Sequence, residues 1–99
     1  MTDQSVREIL FPLAKKYIWW SRSEEAMMQP HRIIAQVMDI GDFEDAQEMM
    51  RALGEDILKD TIQHAEAGWF RPRSWHYWHY RLHLAKTGQV PPLPKRELK

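Results

Sequence analysis

Residues 30–68 read PHRIIAQVMDIGDFEDAQEMMRALGEDILKDTIQHAEAG, and this stretch decides the fold. Glycines at 41, 54 and 68 cut it into three blocks of similar length. Pro30 opens the first, because proline suits the first helical position, where the amide it lacks would have no partner. Ile33, Ile34, Val37 and Met38 then recur at the period of one helix face. Gly41 is expected to end this helix in a left-handed conformation. Asp42 is placed to N-cap the second block, with Glu44 and Asp45 in a first turn whose dipole favours acids. Phe43, Ala46, Met49, Met50 and Leu53 form its apolar stripe. Ile57, Leu58, Ile62 and Ala65 form that of the third block, expected to run to Gly68. None of these helices is long enough to be stable alone, so their faces pack on one another. The side chains between the glycines do not repeat, which makes the spacing uniform helix length rather than a solenoid.

Towards the N-terminus, residues 5–10 read as a short helix that Pro12 either interrupts or follows with a new one. The segment LAKKYIWW (13–20) is open between helix and extended chain. Its Tyr17, Ile18, Trp19 and Trp20 are expected to cover an open side of the core. Ser21 stands three residues before Glu24, the spacing of a capping box. Towards the C-terminus, Pro91, Pro92 and Pro94 forbid regular helix over 89–99. That tail is expected to be extended, either laid across the body or mobile.

The whole chain has 99 residues, 43% hydrophobic and 28% charged, with mean hydropathy −0.62. This is the composition of one globular domain, with no apolar run long enough to span a membrane and no signal peptide in view. It has no cysteine, which excludes disulfides, thiolate catalysis and cysteine zinc sites, and fits a reducing cytoplasm. A net charge of zero hides a division: +1 over residues 1–21, −6 over 22–60 and +5 over 61–99. Either the acidic and basic parts face each other, or they meet partners of opposite charge.

Residues 71–88, RPRSWHYWHYRLHLAKTG, carry the most unusual pattern. Ser74 is the expected N-cap and Gly88 the expected stop. On such a helix Trp75, Trp78, Leu82 and Ala85 share one face, and Tyr77, Tyr80 and Leu84 another. A helix apolar on two faces is either central to the domain or meets a partner. His76, His79 and His83 form a stripe between those faces. His79 and His83 have two-ligand spacing, but His76 and His83 are roughly 10.5 Å apart along the axis, no HExxH occurs and no acid completes a site. No metal or cofactor is expected. Arg71, Arg73, Arg81 and Lys86 interleave with aromatics, a mixture that suits nucleic-acid binding. The acidic third block has the wrong sign for a recognition helix. No nucleophile elbow, P-loop or dinucleotide fingerprint is present, so an enzyme is not expected.

The pieces FPLAKKYIWW, QPHRIIAQVMDIGDFEDAQEMM, ALGEDILKDTIQHA and FRPRSWHYWHYRL together resemble small bacterial proteins encoded beside nucleotidyltransferase-like toxins of the AbiE type. The resemblance runs over about residues 11–94, with IAQVMDIGDFED and RSWHYWHYRL its most characteristic parts. It implies a non-enzymatic antitoxin that binds and neutralises a nucleotidyltransferase-type toxin. The chain shows no separate DNA-binding arm.

The expected architecture is all-α: a compact bundle of four or five short helices at steep angles over 1–88, with an extended tail over 89–99. Its core is expected to hold Ile33, Ile34, Val37, Met38, Phe43, Met49, Met50, Leu53, Ile57, Leu58, Ile62, Trp75, Trp78 and Leu82. The candidate partner surface is the acidic junction of Asp39, Asp42, Glu44 and Asp45, or the Tyr77, Tyr80 and Leu84 face. A regulator that binds nucleic acid through Arg71, Arg73, Arg81 and Lys86 is the alternative, and a plain homodimerising domain is a third.

Overall fold

Six consecutive residues, Ile33 to Met38, are buried in the middle of the helix that Pro30 opens, and this helix organises the rest. The computed structural model describes residues 4–95. Within them run α1 (Gln4–Tyr17), α2 (Ser23–Ala26), α3 (Pro30–Ile40), α4 (Phe43–Leu53), α5 (Glu55–Gln63) and α6 (Pro72–Arg81), with no strand. The all-α reading holds, with six helices among the described residues rather than four or five. The helix α3 touches each of the other five, whereas α6 packs on α3 and no other helix. A helix apolar all round belongs at the centre. That place is taken by α3, and the aromatic α6 lies on its flank. No helix among the described residues is long and apolar enough to cross a membrane.

Pro12 neither breaks α1 nor starts a new helix; it sits exposed inside a continuous helix. It removes the amide that would bond the Glu8 carbonyl, a loss tolerated on the solvent side. The buried face of α1, Leu10, Ala14 and Tyr17, packs on α3. The expected aromatic anchor divides: Tyr17 and Ile18 are buried, but Trp19 and Trp20 stand in solvent edge to face. No capping box forms at Ser21, whose hydroxyl lies 3.5 Å from the Arg22 carbonyl instead.

Four helix termini depart from expectation. Gly41 is extended at φ −66°, not left-handed. A methyl group there would sit 2.4 Å from the Val37 carbonyl oxygen, so glycine is required by close approach. The α5 helix stops at Gln63, short of Gly68, where the His64 imidazole folds back onto the Asp60 carbonyl at 2.9 Å. Helix α6 starts earlier than Ser74, with Pro72 in its first turn, and ends at Arg81 instead of running to Gly88. Its stop is a Schellman motif: Leu84 N–H bonds the His79 carbonyl at 2.8 Å and His83 N–H the Tyr80 carbonyl at 3.1 Å. The left-handed position is filled by His83, at φ 59°.

The expected core is largely the observed one, with corrections. Leu53 and Ile57 are only partly buried against it, and Phe43 is exposed. Phe43 is the first residue of α4, where the stripe runs past the end of α3 and is left largely in solvent. Residues 89–95 carry no helix, and the chain lies across the body. The Trp75 indole N–H donates to the Pro91 carbonyl at 2.8 Å, and Val90 and Leu93 pack on the core. Residues 96–99 of the tail lie outside the described residues.

Candidate functional site

The last carbonyls of α3 have no partners within their own helix. Without a left-handed glycine to fold the chain back on them, α6 supplies the donors. The Trp78 indole N–H bonds the Met38 carbonyl at 2.8 Å in a buried setting. The Asp39 carbonyl accepts from Arg71 Nη2 and from the Ser74 hydroxyl, both at 3.1 Å. In return, the Asp39 carboxylate accepts the Arg71 backbone N–H at 3.1 Å and Arg71 Nε at 3.4 Å. Asp39 thus caps the start of α6 from another helix, with only 10% of its side chain exposed. Arg71 lies at a helix end whose dipole disfavours cations, and this carboxylate compensates it.

Beside this seam lies an open groove of about 400 Å³, lined by Ile40, Phe43, Gln47, Arg73 and Tyr77 over a floor of Trp78. Three large apolar side chains at it remain exposed: Phe43 by 71%, Ile40 by 47% and Tyr77 by 46%. The groove unites members of both candidate surfaces, Asp39 from the acidic junction and Tyr77 from the aromatic helix, with Arg71 and Arg73 from the basic set. The other members fall elsewhere. Tyr80 holds the Gly88 amide through its hydroxyl at 3.3 Å, and Leu84 is partly buried beyond the helix end. Arg81 is half-buried at the far end of α6 and Lys86 follows it, so the four bases do not form one patch. The histidine stripe also divides: His79 is buried with its Nδ1–H on the Trp75 carbonyl at 2.7 Å, His76 is exposed, and His83 leaves the helix.

The rest of the acidic junction is held by α1. Asp42 caps α4 by accepting the Asp45 N–H at 2.8 Å, as expected. Lys16, in the last turn of α1, reaches Asp45 at 2.7 Å and Asp42 at 3.4 Å. The Tyr17 hydroxyl donates to Asp45 at 2.6 Å. The positive start of α4 and the negative end of α1 each gain a complementary charge. Glu44 stays exposed beside Phe43. At Asp39–Arg71 the acidic and basic parts of the chain face each other.

The bonds from Lys16 and Tyr17 hold the Asp45 carboxyl below the ordinary carboxylate range. Tyr17 is raised, first by burial and then by its bond to Asp45, and Lys16 is raised chiefly by Asp45. A depressed carboxyl stabilises the fold above its unfolded pKa of about 3.9, and that contribution is lost as pH falls through the folded value. The raised Tyr17 and Lys16 act at the other limb: their contribution is lost as pH rises above about 10. Asp45→Asn is therefore expected to flatten the fall in melting temperature below about pH 4, measured by circular dichroism across pH. A wild-type acid limb in the variant would remove Asp45 from this role.

Two features escaped the sequence reading. Phe43 looked like core because its stripe is regular, and only its place at the start of α4 exposes it; Ile40, at the end of α3, was assigned to no face. A second cluster, His31, Asp60 and His64, joins the start of α3 to the end of α5. Its one sequence signal was the i, i+4 spacing of Asp60 and His64. Compared with protein-family models, with curated proteins and with solved structures, the chain matches none.

Proposed function

We propose that this chain is a non-enzymatic binding protein whose protein partner docks on the groove between the α3–α4 junction and α6. The observation that carries this reading is the exposure of Ile40, Phe43 and Tyr77 around one concavity. Apolar anchors set in a polar rim are the usual anatomy of a protein interface. Here the rim is Arg71, Arg73 and Gln47, with Glu44 exposed next in sequence to Phe43, and the floor is held because α6 is bonded to the end of α3. The resemblance to proteins encoded beside AbiE-type toxins supplies the partner: a nucleotidyltransferase-type toxin, neutralised by binding in the cytoplasm.

The test is co-purification with the product of the adjacent gene, followed by titration calorimetry. Phe43→Ala is expected to weaken binding by tenfold or more, about 1.4 kcal/mol, as loss of an interface anchor does. Phe43 touches little of the core, so the variant is expected to keep its melting temperature. Glu44→Lys is expected to alter the association rate and its salt dependence more than the dissociation rate. Full affinity in both Phe43→Ala and Tyr77→Ala would move the docking surface away from the groove. A complex with nucleic acid that depends on Arg71, Arg73, Arg81 and Lys86 would favour the regulator instead.

A further inference from the structure

We propose that His31, Asp60 and His64 form a binding site for a borderline divalent transition-metal ion of the zinc class. His31 stands in the first turn of α3, while Asp60 and His64 stand one turn apart at the end of α5. His31 Nε2 lies 2.9 Å from Asp60 Oδ2, and His64 Nδ1 lies 3.2 Å from Asp60 Oδ1. One donor atom from each of the three residues falls within 4.8 Å of the other two. Ligands on a tetrahedral zinc ion, each about 2.0–2.1 Å from it, lie about 3.3 Å from one another, so the trio needs only small side-chain shifts to close on an ion.

The donor set decides the class of ion. Two imidazoles and a carboxylate suit zinc and its neighbours, whereas calcium and magnesium need more oxygen ligands than the single carboxylate of this cluster. The His31 and His64 rings already stack, with centroids 5.4 Å apart and planes 23° from parallel. His64 Nδ1 also bonds the Asp60 carbonyl, and the ring gives up that bond to turn towards an ion. It is free to do so, because 64% of its side chain is in solvent. The open side leaves the fourth position to water. The bound ion would staple the start of α3 to the end of α5. His31 is about 12 Å along α3 from Asp39, so the site is separate from the groove. This departs from the expectation of no metal, which was drawn from His76, His79 and His83, none of which belongs to the cluster.

Titration calorimetry of the untagged chain with zinc ion alone tests the proposal. One equivalent is expected to bind with a micromolar Kd and to raise the melting temperature. His64→Ala and Asp60→Asn are each expected to weaken binding by about tenfold or more and to abolish the thermal shift. His64 is exposed, so His64→Ala decides the matter even where Asp60→Asn unfolds. The double variant His76→Ala/His83→Ala is expected to bind as wild type. The absence of saturable binding, a millimolar Kd marking adventitious coordination, or unchanged binding in His64→Ala would each overturn the proposal. So would loss of binding in the His76/His83 variant.

Discussion

Trp78→Ala is expected to destabilise the protein by about 3–5 kcal/mol, the usual cost of truncating a buried aromatic side chain. The ring is almost fully buried between α6 and α3. The truncation also removes the indole N–H that holds the Met38 carbonyl. Trp78→Phe separates the two effects. It keeps much of the volume but leaves that carbonyl unsatisfied, at a cost of about 1–3 kcal/mol. A chain of this size has about 5–15 kcal/mol to lose, so the alanine variant is expected to be partly unfolded at modest temperature. Urea unfolding followed by circular dichroism checks both values. A loss under about 0.5 kcal/mol in Trp78→Ala would place the ring outside the core.

The second large effect is expected at Gly41. Gly41→Ala places a methyl group 2.4 Å from the Val37 carbonyl oxygen and 2.9 Å from Val37 Cγ1. Alanine accepts the backbone angles there, so the cost is steric rather than conformational. That carbonyl accepts the Gly41 amide at 2.8 Å, so it cannot retreat without weakening the last bond of α3. Overpacking of this kind costs about 1–3 kcal/mol. Because the end of α3 carries the acceptors for Trp78, Arg71 and Ser74, the substitution is expected to loosen α6 as well. Hydrogen exchange of the α6 amides then rises more than that of the α1 amides. Uniform exchange across the protein would detach the junction from α6.

The helices of residues 30–63 were legible because their signals agree. Proline at the start of α3, aspartate at the cap of α4 and apolar residues at helical spacing agree on every boundary there except the end of α5. Asp42 and Pro30 do what their residue types predict. Gly41 marked the right boundary for the wrong reason, since a glycine in sequence does not say whether it supplies a left-handed turn or room for a neighbour. The end of α6 was misread because the left-handed residue is a histidine, a rare choice that periodicity does not flag. Periodicity names a helix face but not its partner, so Phe43 read as core although α3 ends before covering it. The Asp39–Arg71 pair spans 32 residues of sequence, and only the folded chain brings its members together.

The division of the tryptophans makes the protein its own optical probe. Trp19 and Trp20 project into solvent, Trp75 and Trp78 lie in the core, and Trp69 is partly buried against it. Native emission is therefore a sum of a long-wavelength, readily quenched component and a short-wavelength, protected one. Acrylamide removes the first and leaves the second, so in a Trp69→Phe background the residual spectrum isolates Trp75 and Trp78 on the flank of α3. A ligand seated on the groove floor above Trp78 shifts that residual spectrum, while one at the other end of the molecule leaves it still.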